Sequence, residues 1–353
     1  MATTIAVATR PLSSLGVEPR GGNKFRRRFH AFEAMRRKSR PRVRFSLPSL
    51  SCPPRALHDA RDARDAQAEA AETENSPSAT PEGDDDSSYS VLTCMTSQHN
   101  NIVVVDTPKS RFLLLDSSHN IHSMLSKDQI WTGSYWDEFA SLPAIVPQGP
   151  IAILGLGGGT AAHLLLKLWP TLHVEGWEID EILIDMAREY FGLSELEKST
   201  QAGGSLSVHI GDALSESATV QGGFAGIIVD LFSDGKILPQ LKEVETWLEI
   251  ERKLMPHGRI MVNCGGAHSE VSGSGDKTVE MILSTDSWVQ NSTIKALCKA
   301  FPGKLSWKRM AEKDSNNYLA LTGPLPDLDA WSAALPSPLS LNVRQWRPCE
   351  LAC

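Results

Sequence analysis

The chain has 353 residues, of which 41% are hydrophobic and 22% charged, and its net charge is −7. This length and composition predict a protein with an ordinary globular core and exclude a fibrous or wholly disordered chain. The most apolar stretch, residues 151–169, is interrupted by four glycines, His163 and Lys167. It falls short of the roughly 18 uninterrupted apolar residues that a membrane span needs, so we expect no membrane partner.

Charge is distributed unevenly along the first 86 residues. Residues 1–58 carry thirteen Lys or Arg but only two acids, and this Arg- and Ser-rich composition is typical of an organellar transit peptide. A basic arm that binds nucleic acid is the alternative, but residues 59–86 carry ten acids that would oppose a polyanion. We therefore expect no nucleic-acid partner, and we predict a location in the chloroplast stroma, with the mitochondrion as second choice.

A second segment of unusual composition follows the basic residues 1–58. Residues 59–88 lack apolar side chains larger than Ala, which predicts a disordered acidic linker.

The six cysteines form no CxxC motif and stand far apart except for Cys349 and Cys353. We therefore expect reduced thiols rather than a disulfide framework or a zinc site, and no metal cofactor.

Short β-like segments come first in the remaining chain. They cover residues 101–106, 111–116 and 120–125 and are separated by turn residues. A helix is predicted over residues 135–143. Together these segments predict a small antiparallel β domain with a connecting helix, spanning residues 89–148.

From residue 149 onward, predicted strands and helices alternate. The strands are 151–155, 172–178, 206–210, 224–230, 258–263 and 317–322, and the helices are 160–169, 181–191, 240–254 and 292–301. This alternation predicts a doubly wound α/β domain over residues 149–325, with a parallel sheet and helices on both faces. Several prolines after Pro324 predict an irregular C-terminal tail over residues 326–353.

The first strand of this domain leads into a glycine turn that contains Gly155, Gly157, Gly158 and Gly159. Such a turn lets the backbone approach a ligand, and the helix that follows adds exposed N–H donors at its N-terminus. A buried turn that requires positive φ would show the same residues. The dinucleotide fingerprint needs glycine where Thr160 stands, so the spacing favours S-adenosylmethionine, which has no pyrophosphate, over a nicotinamide dinucleotide.

Carboxylates follow the next three strands. Glu178 ends the second strand, where it can accept hydrogen bonds from both hydroxyls of a ribose. Asp212, followed by Ala213, comes after the third strand, where it can accept from an adenine amino group or cap a turn. Asp230 and Asp234 follow the fourth strand and should face the reacting end of the nucleotide. There they can deprotonate an ammonium acceptor, unless they only cap the loop.

These motifs resemble the spermidine synthase family, the aminopropyltransferases that share the class I methyltransferase fold. The resemblance covers residues 102–263 and rests on the glycine turn, Glu178-Ile-Asp180, Gly211-Asp212 and the acidic loop at Asp230. Two earlier segments are similar to the family as well, Leu115-Asp116 to its Leu-Asp-Gly and residues 135–138 to its Tyr-His-Glu. The implied fold is a doubly wound, Rossmann-like methyltransferase sheet preceded by a small antiparallel β domain.

The resemblance also implies a reaction and its participants. A group bonded to a sulfonium is displaced from S-adenosylmethionine or its decarboxylated form, the co-substrate, by a small-molecule amine. Asp230 would be the base, Glu178 the ribose ligand and Asp212 the adenine ligand. The family usually dimerises, so a homodimer is implied. An amine with a pKa near 10 is mostly protonated at neutral pH, so a carboxylate that binds and deprotonates it is required.

Departures from the family pattern concern the transferred group and the acceptor. Gly158 stands where the family has an aspartate that holds the free amine of the decarboxylated nucleotide. Without that charge S-adenosylmethionine itself should be tolerated, which slightly favours methyl over aminopropyl transfer. His122 replaces the family's glutamine, and Asp234 is displaced by one residue from the family's second aspartate. We expect Asp116, His122 and Tyr135 to bind the acceptor. A catalytically inactive, nucleotide-binding regulatory protein of the plastid is the alternative.

Overall fold

The computed structural model describes residues 89–116, 120–266, 291–310 and 317–350. The predicted transit peptide, residues 1–58, and the predicted acidic linker, residues 59–88, lie outside this part of the chain. The described residues form a small antiparallel sheet, a large mixed sheet and the helices that cover it.

The small sheet has four strands in the order β1-β2-β3-β4, and each neighbouring pair is antiparallel. The strands are β1 (Ser90–Thr96), β2 (Asn101–Asp106), β3 (Ser110–Leu114) and β4 (Ser123–Ser126). Consecutive side chains are buried in both inner strands, Val104 and Val105 in β2 and Phe112 to Leu114 in β3, so these strands are covered on both faces. The predicted small antiparallel domain is therefore confirmed, with β1 as an additional strand.

The helices of the following domain are short and regular. They are α1 (Tyr135–Phe139), α2 (Thr160–Leu168), α3 (Glu181–Tyr190), α4 (Leu193–Leu196), α5 (Val244–Glu251), α6 (Ser292–Ala300), α7 (Leu328–Ala333) and α8 (Leu339–Asn342). Three 3-10 turns accompany them, at Leu142–Ile145, Pro239–Lys242 and Val343–Gln345. Asp180 directly precedes helix α3, and its carboxylate accepts from Leu183 N–H and so caps the helix as its side chain type predicts.

Eight strands form the large sheet, in the order β14-β12-β13-β11-β8-β5-β6-β7. They are β5 (Ile151–Leu154), β6 (His173–Glu178), β7 (Ser205–Ile210), β8 (Phe224–Val229), β11 (Leu254–Gly266), β12 (Leu305–Arg309), β13 (Asn317–Thr322) and β14 (Arg347–Pro348). A separate hairpin, β9 (Phe232–Ser233) with β10 (Lys236–Ile237), follows β8.

The large sheet is mixed, not parallel throughout as the alternation predicted. Strands β11, β8, β5, β6 and β7 are parallel neighbours, whereas β13, β12 and β14 pair antiparallel. Strand β12 ends at Arg309 and β13 begins at Asn317. The connection between them is too short for the crossover that a parallel pair needs, so the two strands must run antiparallel.

The central strands are buried on both faces. Every residue of β5 and β8 is buried. Ile151 and Ile153 pack into the apolar cluster on one face of the sheet, and Ala152 and Leu154 pack into the cluster on the other. This alternation is the period of two that a strand imposes on its side chains, and it leaves only the strand ends for function.

The C-terminal segment is regular where the sequence suggested an irregular tail. It forms α7, α8 and β14, and Trp331 and Trp346 are each only 2% exposed. The indole N–H of Trp331 donates to the carbonyl of Ser141 at 3.0 Å, and that of Trp346 donates to Glu138 Oε2 at 3.2 Å. Two buried tryptophans therefore anchor this segment to the region of α1, which outweighs its high proline content.

The described residues bear on three sequence-based expectations, which concern disulfides, metal sites and membrane-spanning helices. Cys94 on β1 is disulfide-bonded, so the expectation of reduced thiols is wrong for this residue. Within the described ranges, three or more His, Cys, Asp or Glu side chains nowhere come together as a possible metal site. No helix between residues 89 and 350, among those that are described, is long and apolar enough to cross a membrane.

Candidate functional site

The glycine turn connects β5 to α2 and contacts the backbone of the acidic loop. Gly155 has φ +92°, and a Cβ at this position would lie 2.3 Å from the carbonyl oxygen of Asp230. Glycine is therefore required here by both conformation and space. The N–H groups of Gly155 and Leu156 donate to the carbonyl of Trp177, so the ends of β5, β6 and β8 meet at this turn.

The small sheet covers the N-terminus of α2. Gly158 N–H donates to Ser123 Oγ at 2.8 Å, and Thr160 Oγ1 accepts from Met124 N–H at 2.8 Å. A Cβ on Gly158 would lie 2.9 Å from Ser123 Cβ. Gly158 and Gly159 are buried, whereas Gly155 and Gly157 keep exposed surface. A ligand can therefore approach the first two glycines of the turn, while the side-chain direction of Gly158 faces strand β4.

Glu178 lies at the end of β6 and folds over the same turn. Its Oε2 accepts from Gly157 N–H at 3.0 Å, and its Oε1 accepts from the N–H groups of Ile179 and Asp180 at 3.0 and 3.3 Å. Burial raises the pKa of Glu178, and the three backbone donors oppose that shift. A carboxylate offers about four acceptor positions, so the group is fixed in orientation and has capacity for a ribose hydroxyl.

The loop after β7 stands beside Glu178. Asp212 is exposed, and its Oδ1 accepts from Leu214 N–H at 2.8 Å, so the carboxylate caps its own turn in this structure. Ala213, predicted to contact the nucleotide, has its side chain buried in the apolar core at 5% exposure. Gly211 N–H donates to the carbonyl of Glu178 at 2.8 Å. The loop is thereby held next to the predicted ribose ligand.

Two exposed apolar side chains near this point were missed by sequence reasoning. Ile179 is 49% exposed and Ile210 is 47% exposed, whereas most large apolar side chains of the described chain are covered. Ile210 pairs with Glu178 across β6 and β7. Exposed isoleucines beside the predicted ribose ligand provide an apolar surface of the kind on which a purine base can pack. Their position directly after Glu178 and directly before the Gly-Asp pair is the signal that could have identified them.

Asp230 is the centre of the polar cluster at the end of β8. Its Oδ2 accepts from the Tyr135 hydroxyl at 3.1 Å, and its Oδ1 accepts from Asn263 Nδ2 at 2.9 Å. Gly265 N–H donates to Asn263 Oδ1 at 3.0 Å, which fixes the orientation of that amide. Burial raises the pKa of Asp230 to about 6, and hydrogen bonds from Asn263, Tyr135 and Trp136 partly offset this rise.

Asn263 and Trp136 were not among the predicted site residues. Asn263 lies on β11, next to β8 in the sheet, and Trp136 follows Tyr135 on α1. No spacing rule links residue 263 to residue 230, because their proximity arises from pairing between two strands of the sheet. The one available signal was a polar residue directly after the apolar run of residues 260–262.

His122 and Asp116 form a pair at the same side of the cluster. His122 Nε2 lies 3.2 Å from Asp116 Oδ2, and Leu115 N–H donates to His122 Nδ1 at 3.3 Å. Because Nδ1 accepts, the neutral ring carries its hydrogen on Nε2, the nitrogen that lies beside Asp116 Oδ2. Asp230 is close enough to His122 for the positive charge of a protonated imidazole to lower the pKa of Asp230. Of the three predicted acceptor-binding residues, Tyr135 therefore contacts the predicted base, and His122 lies within range of its charge with Asp116 as partner.

Asp234 is placed differently from Asp230. It lies in the two-residue turn between β9 and β10, with φ +49°, and Gly235 follows with φ +68°. An Asp-Gly pair with two positive φ values is a preferred turn of tight hairpins. Asp234 is exposed, and its conformation explains its presence as a turn residue. The structure gives it no contact with the Asp230 carboxylate, so a shared catalytic role rests on the sequence alone.

The chain is similar to known proteins over part of its length. No protein-family model matches the chain. The chain is 28% identical over 168 residues to a probable polyamine aminopropyl transferase of Bifidobacterium longum (strain NCC 2705), and the match covers 47% of this chain. It spans only 36% of that relative, so about a third of the relative's length is represented here.

Solved structures with a related shape were also found. A spermidine synthase in complex with the transition-state analogue AdoDATO aligns with a TM-score of 0.49 and 16% identity, covering 66% of this chain and 73% of the other. Human methyltransferase-like protein 13 in complex with SAH aligns with a TM-score of 0.39 and 21% identity, covering 59% and 86%. The chain thus shares sequence with this aminopropyl transferase relative over about half of its own length, and its central sheet is a mixed sheet in an α/β arrangement.

Proposed function

We propose that this protein is an aminopropyltransferase-type enzyme that uses decarboxylated S-adenosylmethionine to modify a small amine. The observation that carries the proposal is the Asp230 carboxylate, held between Tyr135 and Asn263 against the glycine turn. A carboxylate with a pKa of about 6 is mostly ionised at pH 7 to 8, yet it is more basic than an ordinary aspartate. Such a group is suited to accept a proton from an amine.

The proposed reaction is a direct displacement. The amine nitrogen attacks the carbon bonded to the sulfonium, the carbon–sulfur bond breaks, and its electron pair stays on sulfur as a thioether. The proton that the nitrogen loses passes to Asp230. Charge is neutralised as the sulfonium becomes a thioether, so the enzyme gains rate mainly by alignment and by removing this proton. The hydroxyl of Tyr135 and the amide of Asn263 hold the carboxylate in place for both tasks.

The proposed nucleotide-binding residues lie around the turn between β5 and α2. Glu178 is proposed to bind the ribose, Gly155 and Gly157 to pass close to the nucleotide, and Ile179 and Ile210 to contact the base. Asp212 is proposed to turn toward the adenine amino group. In the present structure its carboxylate accepts from Leu214 N–H, so one hydrogen bond must be given up or shared on binding.

The choice of transferred group depends on Gly158 and on the relatives. The slight sequence-based preference for methyl transfer came from the missing charge at Gly158. Its side-chain direction meets Ser123 rather than open space, so this position is a weak basis for choosing a nucleotide. The curated relative is named as a probable polyamine aminopropyl transferase. That name supports aminopropyl transfer, with a polyamine or similar cationic amine as acceptor.

The test combines binding with product analysis on the full chain. Calorimetric titration with S-adenosylmethionine and its decarboxylated form should show tighter binding of the decarboxylated nucleotide. A screen of amines with mass detection should show products heavier by one aminopropyl group. Products heavier by a methyl group would contradict the proposal, and binding without any product would support the inactive, regulatory alternative. The Glu178→Gln change should weaken binding of either nucleotide.

Two proposals concern the cellular setting. The composition of residues 1–58 supports import into the chloroplast stroma, and a fluorescent fusion of that segment, imaged beside a fusion that lacks it, tests this. The family resemblance supports a homodimer. Sedimentation of the full chain at several concentrations tests that state, and a monomer at all concentrations would contradict it.

A further inference from the structure

Two cysteines from distant parts of the chain meet beside the antiparallel edge of the large sheet. Cys298 lies on α6 and is only 2% exposed, whereas Cys349 follows β14 and is half-buried. Their Sγ atoms lie 2.6 Å apart, although the residues are separated by 51 positions. Both sulfurs belong to the same apolar surroundings, next to Leu305 and Phe301.

The backbone holds Cys349 in this position. Its N–H donates to the carbonyl of Leu305 at 2.8 Å, which continues the antiparallel pairing of β14 with β12. Cys298 is held by α6, which begins at Asn291 with a capping side chain and packs in the same apolar cluster. The two sulfurs are therefore presented to each other by regular elements on both sides.

We propose that Cys298 and Cys349 are a redox modification site that forms a reversible disulfide. The separation of 2.6 Å exceeds a covalent S–S bond, about 2.05 Å long, by about half an ångström, so only a small movement is needed. The oxidant is a disulfide compound such as oxidised glutathione. Cys349, the more exposed thiol, attacks it and releases one glutathione thiol. Cys298 then attacks the mixed disulfide and releases the second glutathione thiol. Two protein thiols are thereby oxidised to one disulfide, and one oxidised glutathione is reduced to two glutathione thiols.

The bond would fasten the outermost strand of the sheet. Strand β14 is two residues long and pairs with β12 at Trp307 and Ser306. It is preceded by Trp346, whose indole N–H donates to Glu138 on α1. Oxidation would therefore secure the C-terminal segment that packs against α1, and reduction would leave that segment held by its non-covalent contacts.

Cys264 provides a matched control. It lies on β11, it is fully buried, and burial raises the pKa of its thiol well above the usual range. Its sulfur contacts the carbonyl of Val262 and, among the described residues, no second cysteine, so it has no neighbouring thiol with which to complete a disulfide. A Cys264→Ser variant should therefore behave as the wild type in every redox measurement.

The experiment equilibrates the full chain with oxidised or reduced glutathione, blocks remaining thiols by alkylation and maps disulfides by mass spectrometry. Cleavage after Glu350 separates Cys349 from Cys353. The expected result is a Cys298–Cys349 cross-linked peptide that appears with oxidant and disappears with a dithiol reductant. Alkylation of both cysteines under oxidising conditions, or a cross-link from Cys298 to Cys353, would overturn the proposal.

A second measurement uses stability. Oxidation should raise the Tm of the wild type and of Cys264→Ser by about 5 °C, because the bond closes a loop of some fifty residues. The Cys349→Ser change is at a half-buried position and should fold, and it should lower this shift to the part that the Cys94 disulfide contributes. An equal shift in Cys349→Ser would overturn the proposal even if Cys298→Ser failed to fold.

Discussion

Replacing Asp230 with Asn is expected to abolish turnover and, at the same time, to stabilise the protein at neutral pH. In the folded protein burial raises the pKa of Asp230 from its ordinary value of 3.8 to about 6. Each unit of difference corresponds to about 1.4 kcal/mol, so the ionised group costs at most about 3 kcal/mol of stability. Asp230 as a whole residue is half-buried, so solvent screens its charge and reduces this cost to about 1–2 kcal/mol.

The pH dependence follows from the direction of the shift. The pKa of Asp230 is higher in the folded protein than in the unfolded chain. Below about pH 4 the carboxyl is protonated in both states, so Asp230 does not lower the free energy of unfolding there. The cost grows as the pH rises and is complete above about pH 6. An amide at this position carries no charge, keeps an oxygen that can accept from Asn263, and can donate to the hydroxyl of Tyr135.

The assay is thermal unfolding followed by circular dichroism from pH 4 to pH 8.5, together with turnover at pH 8. Asp230→Asn should melt about 2–6 °C above the wild type at pH 8, and the gap should close near pH 4. Asp234→Asn is the matched control, because its side chain is exposed and Asn tolerates its positive φ. A gap of constant size, or a less stable variant at pH 8, would refute the burial argument, and retained turnover would refute the role as base.

Three further predictions concern the surroundings of this group. Gly158→Ala should lower the free energy of unfolding by about 1–3 kcal/mol, since the new Cβ would lie 2.9 Å from Ser123 Cβ. Urea unfolding should show that adding Ser123→Gly recovers part of this loss. Lys308→Met should cost about 3–5 kcal/mol because it leaves Glu138 buried without its ion pair, whereas the double change with Glu138→Leu should cost less in the same assay. Tyr135→Phe removes a donor that lowers the pKa of the base, so the acidic limb of the pH profile of kcat/KM should move up by about one unit; an unmoved limb would contradict this.

Much of the fold could be predicted from the sequence because most strands and helices carry their own local signal. The four residues of β5 and the six of β8 are uniformly apolar, and helices α3 and α6 begin with capping side chains at Asp180 and Asn291. Strand β12 escaped prediction because its alternation is masked by Trp307 and a buried Lys308. That lysine is tolerated only because it pairs with Glu138, a partner 170 residues away.

In the candidate site, too, some residues could be identified from the sequence and others could not. Residues that follow strand ends, such as Glu178 and Asp230, could be found because the carboxyl ends of parallel strands converge at one edge of the sheet. The local sequence of Asp234 is equally acidic, but the tight hairpin turn directs it to solvent. Spacing alone could not separate the two aspartates, because they differ in the path of the backbone between them.

The sequence by itself determined the alternation of strands and helices, the glycine turn and the order of the acids, because these depend on local periodicity and on conformations that few residues tolerate. Only the tertiary structure decided that Asn263 holds the carboxylate of Asp230, that Gly158 faces Ser123, and that Cys298 meets Cys349. Each of these contacts joins residues that are distant in the chain. Their free energy comes from burial and hydrogen bonding between packed elements, and such contacts leave no periodic trace in the sequence.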